Sequence, residues 1–327
     1  MNHKFDELAK GLAQSVTQRQ ALNKFRVRWF GIALLWFGVA VNYEAGGQTY
    51  TSIDFPGSVA TLAVDINDLG QIVGRYIDTA EINHGYLLNN GVFTSITFPG
   101  AAFTRAIGIN LNGDIVGSYW MPNEVKAVFE HGFLLHGGVF SAINFPNAVV
   151  TLAIGINSSG DIAGYYVDNT TDTRHGFILH AGTYTAVDYP GASYTEAWKI
   201  NDSGQIVGRY VGADGNYHVY LLSNGSFTSF DYPGALQTAP SGYSHAGGLN
   251  NLGDITTDYA SGAPFKDVLS PKSAGNIHGF ILSGGVFTSF DFPGANTTLP
   301  FGINDNRQVV GAYADVNEVP HGFLRTP

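Results

Sequence analysis

The chain has 327 residues, a formal net charge of −10 and no cysteine, and only 13% of its residues are charged. An acidic body lacks the basic footprint that nucleic-acid phosphates require, which excludes DNA and RNA as partners, and the missing cysteines exclude disulfides. With 42 glycines, and alanine spread along the chain instead of gathered in helical stretches, the composition is that of a turn-rich, all-β protein.

Residues 1–45 differ from everything after them. Lys24, Arg26 and Arg28 precede Trp29–Val41, an apolar run of 13 residues. That is too short for a comfortable membrane span and suits the core of a signal peptide. Gly38-Val39-Ala40 and Ala45 both offer small residues for cleavage. Upstream, Thr17–Phe25 resembles a bacterial twin-arginine leader but keeps only Arg19, with Gln18 where the other arginine would stand. The expectation is an export leader, by the general or the twin-arginine route, and so a secreted or bacterial cell-envelope protein with no stable span in its mature form. An uncleaved amphipathic anchor is the alternative.

From residue 46 the chain is an array. Six copies of one phrase run F-T-S-x-D-F-P-G-A, then I-N-x-x-G-[DQ]-I-V-G-x-Y, then H-G-F-L-L. The corner prolines are Pro56, Pro99, Pro146, Pro190, Pro233 and Pro293, a period of about 45 residues with one longer interval, which signals a propeller or another closed array. Turn signals cut each copy into four short β segments; in the second copy they are Thr104–Ile109, Asp114–Tyr119, His131–Leu135 and Val139–Phe145. The I-N-x-x-G turn closes the first hairpin, and pairs such as Asn90-Gly91 and Gly137-Gly138 close the second. Proline ends the fourth segment because it cannot donate to a ladder.

A lone four-stranded sheet leaves both faces bare, whereas six arranged radially bury them against neighbours. The phase of the array says how the ring closes. Gln48–Pro56 matches a fourth strand, and the last copy supplies only three, ending at His321–Leu324. The sequence therefore predicts a six-bladed β-propeller over 46–327, with four-stranded antiparallel blades, closed by pairing of the N-terminal strand with the C-terminal one. A monomer is expected.

The residues Ala106-Ile107-Gly108-Ile109-Asn110, Gly113-Asp114-Ile115-Val116-Gly117 and His131-Gly132-Phe133-Leu134, with counterparts in every copy, resemble the HAF-type bacterial extracellular repeat family. H-G-F replaces that family's H-A-F, Tyr86 stands for Phe in the first copy, and the fourth copy reads His218-Val219-Tyr220. The likeness covers 48–327. It implies a secreted or cell-envelope repeat protein and brings no catalytic residues to carry over.

The repeated polar residues read as structure. One histidine per copy, His84 to His321, is spread by sixfold geometry too widely for a metal cluster, so a local hydrogen-bonding role is expected. The six repeated tyrosines, Tyr76 to Tyr313, read as packing between blades. The N-x-x-G-[DQ] turns have too few carboxylates at alternate positions for calcium, and turn chemistry accounts for them. No G-x-S-x-G elbow, Walker loop or H-E-x-x-H occurs, and no metal or cofactor is expected.

Positions that break the symmetry are freer to serve a ligand. The sixth residue after each corner proline reads Leu62, Arg105, Leu152, Glu196, His245 (allowing a six-residue insertion) and Leu299; two positions on, Trp198 is the outlier. The residue before the repeated tyrosine varies too, as Arg75, Ser118, Tyr165, Arg209, Asp258 and Ala312. The fifth copy carries a long insertion within Ala260–Ile277. All of these fall on one face, with short hairpins on the other, and loops on a rigid scaffold are where binding concentrates. The expected ligand surface rims the channel mouth with Arg105, Glu196, Trp198, Tyr243, His245, Asp258, Tyr259, Lys266 and Asp267. Three roles follow: a non-catalytic exported module binding a glycan or a cell-surface protein; a polysaccharide hydrolase or lyase with Glu196, His245 and Asp258 as acid–base groups and Arg105 holding an acidic sugar; or a purely architectural part of the envelope.

Overall fold

The computed structural model describes residues 42–122, 124, 129–235, 237–239, 247–261 and 277–327. The export leader, apart from its last few residues, falls outside them. Among the described residues no helix is long and apolar enough to cross a membrane.

Six antiparallel sheets form the six blades. The third shows the pattern: Ala148–Ile156, Ile162–Asp168, Arg174–His180 and Thr183–Val187 pair in sequence order. The sixth takes three strands from the C-terminus, Thr298–Ile303, Val309–Ala314 and Pro320–Thr326, and its fourth from the N-terminus, Gln48–Ile53. Thr49 pairs with Thr326 and Ile53 with Gly322, so the ring closes as its phase requires. Asn42–Ala45 adds a fifth, exposed strand outside Gln48–Ile53.

Each I-N-x-x-G turn needs a left-handed residue to reverse the chain, and Gly160 adopts φ 85° there. The sixth copy puts Arg307 in this place at φ 57°, and its guanidinium pairs with Asp254 at 2.9 Å. At each F-P-G corner the following threonine accepts a hydrogen bond from the residue before the proline, as in Thr151 Oγ1 from Phe145 N at 3.0 Å. The corner aromatic then stacks on the repeated tyrosine of the next blade, for example Phe145 on Tyr166 with centroids 3.6 Å apart, and His175 also stacks on that ring, at 5.2 Å. Offset ring pairs add stabilisation beyond burial of area. These stacks bear out packing as the role of the tyrosines.

The histidines are held locally, as expected, although by side chains more than by backbone. His175 Nδ1 meets Asp188 at 2.9 Å, His218 meets Asp231 at 2.8 Å, and His278 meets Asp291 at 2.9 Å.

The turn asparagines do more than turn chemistry requires. Asn157 Oδ1 accepts from Ser159 N and Asp161 N within its own turn, while Nδ2 donates to Asn201 O of the next blade at 3.3 Å. The same inter-blade bond runs from Asn67 to Asn110, Asn110 to Asn157, Asn201 to Asn250, Asn250 to Asn304 and Asn304 back to Asn67, at 2.9–3.1 Å. Six side chains thus form one closed hydrogen-bonded ring around the axis.

Candidate functional site

The axis itself is filled. Leu62, Val64, Ile107, Ile154, Trp198 and Phe301 belong to one buried cluster drawn from the inner strands. Trp198 lies over Gly247: a Cβ on that glycine would sit 2.5 Å from the indole Cε3. One layer further along, Gly108, Gly155, Gly248 and Gly302 bring the inner strands close together, and the two remaining places are Asp65 and Lys199, paired at 2.9 Å. Burial pushes both toward neutrality, Asp65 upward and Lys199 downward, against their mutual attraction. The expected open channel mouth is therefore corrected to a plugged axis, because large apolar side chains and close backbone approach consume the space.

The candidate residues fare differently from one another. Tyr243, His245, Lys266 and Asp267 lie outside the described residues. The place assigned to His245 is taken by Ala239, whose N–H donates to Asp258 O at 2.7 Å while Thr238 keeps the corner bond to Tyr232. The insertion thus follows Ala239, not the corner.

Glu196 and Trp198 come together, but inside the protein. Glu196 is fully buried and accepts from Arg174 Nη1 at 2.5 Å, from Arg209 Nε at 2.9 Å, from Trp198 Nε1 at 2.9 Å and from Tyr194 OH. Arg174 lies 4.2 Å from the Tyr165 ring centroid and Arg209 4.4 Å from that of Tyr217. Burial alone would raise the Glu196 pKa, yet Arg209, Arg174 and the hydroxyl and indole donors hold it below the usual glutamate range. A carboxylate so clamped cannot act as a general acid near neutrality.

Arg105 is likewise turned inward, paired with Glu130 and lying over the Phe103 ring at 4.8 Å; Glu130 also accepts from Ser118 at 2.7 Å. Asp258 is fully buried and accepts from Thr257 Oγ1 at 3.4 Å. Tyr259 belongs to its blade's aromatic stack, on Tyr232 at 3.7 Å with its hydroxyl 2.9 Å from Ser289. The rim of exposed ligand-binding side chains is thus corrected for Arg105, Glu196, Trp198 and Asp258, which are buried among partners within the fold, whereas Tyr259 stays partly exposed at the edge of its stack.

Sequence reasoning missed Arg174 and Tyr194, which complete the Glu196 cluster. The signal was there in the residue before each repeated histidine, which varies as Asn83, Glu130, Arg174, Tyr217, Ile277 and Pro320.

Two open concavities among the described residues bear on a site. On the short-hairpin face, the asparagine ring floors a depression of about 70 Å³ bordered by Asp68, Asp202 and Asp305. Its polar atoms are largely bonded to one another; Asp305 N, for example, donates to Asp68 Oδ1 at 2.8 Å. On the loop-rich face, a recess of about 260 Å³ opens between the sixth and first blades. Pro56, Val59, Val319 and Pro320 supply apolar surface, and Asp54 and His321 supply polar atoms. His321 Nδ1 lies 2.7 Å from Asp54 and Nε2 3.6 Å from Asp315; burial lowers the imidazole pKa, but these two carboxylates outweigh it and raise the value overall.

No family model and no curated protein matches the chain. Solved structures do. The acylaminoacyl peptidase of Pyrococcus horikoshii aligns over 85% of this chain and 46% of its own, at 9% identity and a TM-score of 0.51. AofleA from Arthrobotrys oligospora aligns over 86% of this chain and 88% of its own, at 11% identity and 0.50. A mutant of the Aleuria aurantia lectin in complex with Fucα1-6GlcNAc aligns over 81% and 91%, at 10% identity and 0.48. At such identities the likeness establishes the propeller fold and assigns no ligand.

Proposed function

We propose that this protein is an exported, non-catalytic propeller that binds a glycan on its loop-rich face. The observation that carries this reading is the recess between the sixth and first blades. It holds about 260 Å³ and sets apolar faces beside a carboxylate and an imidazole. That combination matches a sugar ring, which offers C–H faces to apolar walls and hydroxyls to acceptors. A glycan-bound lectin also stands among the propellers aligned above.

Against catalysis stands the Glu196 clamp: its proton is not available near neutral pH, and Arg105 is occupied by Glu130. Export rests on the Lys24–Val41 pattern and on the resemblance to HAF-type repeats. The test is a glycan-array screen of the purified protein with analysis for new reducing ends. Saturable binding without product supports the reading, and product release would replace it with an enzyme.

A further inference from the structure

The recess opens at the interface where one of six equivalent places is held by alanine. The fourth residue after each corner proline is Phe103, Val150, Tyr194, Gln237 or Thr297 in five copies, and Ala60 in the first. At three interfaces this residue meets the one before the histidine of the preceding blade, and at a fourth it bonds that residue's neighbour. Glu130 and Val150 form a backbone bridge there, as do Ile277 and Thr297. Arg174 donates to Tyr194 OH at 2.7 Å and lies over its ring, and Gln237 donates to Asn216, next to Tyr217. At the closing interface the pair is Ala60 and Pro320: a bare Cβ against a ring that carries no N–H. Both line the recess.

We propose that this interface is a single-sugar site for a neutral hexopyranose, whose C–H face lies on Pro56 and Pro320 and whose adjacent hydroxyls reach Asp54. This rests on the glycan-binding reading above. Neutrality follows from charge. Asp54 and Asp315 flank the single His321, and the whole chain carries −10, so a uronic acid would meet repulsion. Asp54 can accept because its side chain is half exposed and only its Oδ1 is engaged by the imidazole, with Oδ2 taking the Ser52 hydroxyl at 3.1 Å. A carboxylate oxygen has lone pairs to accept a further hydroxyl.

The test is ligand-observed NMR titration of the whole protein with the methyl glycosides of glucose, galactose, mannose, fucose and N-acetylglucosamine, and with methyl glucuronoside. A60F puts a large side chain at the place Phe103 holds in the second blade, and D54N removes the acceptor charge while keeping the shape. D231N is the control: Asp231 makes the same bond to His218 that Asp54 makes to His321, at an interface where Gln237 stands in place of Ala60. The expected result is binding of a neutral glycoside, weakened about tenfold or more by A60F and by D54N and unchanged by D231N. If A60F does not fold, D54N against D231N decides. Neutral-sugar binding indifferent to D54N and A60F would overturn this site and leave the glycan reading standing. Preference for the glucuronoside would overturn the ligand class, and no binding of any sugar would overturn both.

Discussion

Asp65 and Lys199 stand in the first and fourth blades, on opposite sides of the ring, and meet at 2.9 Å. Lys199 Nζ also donates to Ile107 O at 3.1 Å, and Asp65 Oδ2 accepts from Ile109 N at 3.0 Å, so one ion pair ties three blades together. Four glycines occupy the equivalent places, which leaves room for one long side chain to cross the axis. Removing one partner strands a buried charge. K199M is expected to cost about 3 kcal/mol and D65N/K199M clearly less, since breaking a buried pair is worse than replacing it. Urea unfolding of both variants checks this, and equal losses would contradict it.

The asparagine ring divides into a local half and an inter-blade half. N157D keeps the Oδ1 acceptor of its turn but loses the Nδ2 donor and faces Asn201 O with a carboxylate. A loss of about 2 kcal/mol is expected, from a missing bond plus repulsion between acceptors. Thermal unfolding measures it; a variant as stable as the parent would mean that turn chemistry alone accounts for these residues.

Acid should find the Glu196 clamp. A carboxyl whose folded pKa lies below its unfolded value contributes stability that is complete above the unfolded value, here the ordinary 4.5, and that disappears as pH falls through the folded one. Unfolding free energy measured between pH 7 and pH 3 should therefore fall on the acid side. E196Q should cost about 3 kcal/mol at pH 7, because Arg174 and Arg209 lose their shared anion, and should flatten that acid slope. An unchanged slope in E196Q would assign the acid sensitivity elsewhere.

Tyr86 offers the opposite sign. Its hydroxyl is fully buried without a hydrogen-bond partner, and burial drives its pKa far upward. Phe133, Phe177, Phe280 and Phe323 fill the same place in four other blades, while Tyr220, in the remaining blade, donates to Glu196 O at 2.9 Å. Y86F should therefore stabilise the protein by about 1 kcal/mol, whereas Y220F should not. Paired melting curves decide, and destabilisation by Y86F would contradict the assignment.

The architecture was legible because it repeats: six corners, six hairpin turns and the phase of Gln48–Pro56 specify blade number, strand number and closure together. The asparagine Oδ1 contacts were legible for the same reason, being two to four residues away. The Nδ2 contacts were not, since their acceptors lie a full blade away in sequence. Glu196 stood out as an ionisable residue among leucines, and that irregularity was real, but its neutralising partners Arg174 and Arg209 sit on other strands. Symmetry breaking marked a buried cluster there instead of a rim. Ala60 breaks the symmetry by being small, a departure easily passed over when charge and aromaticity are sought.

The most direct measurement is an equilibrium titration of the whole protein with the neutral glycoside it binds best, followed by analysis of the recovered sugar. The account predicts saturation at one sugar per chain and a glycoside returned intact. Saturation at several sugars per chain, or recovery of cleaved product, would contradict it.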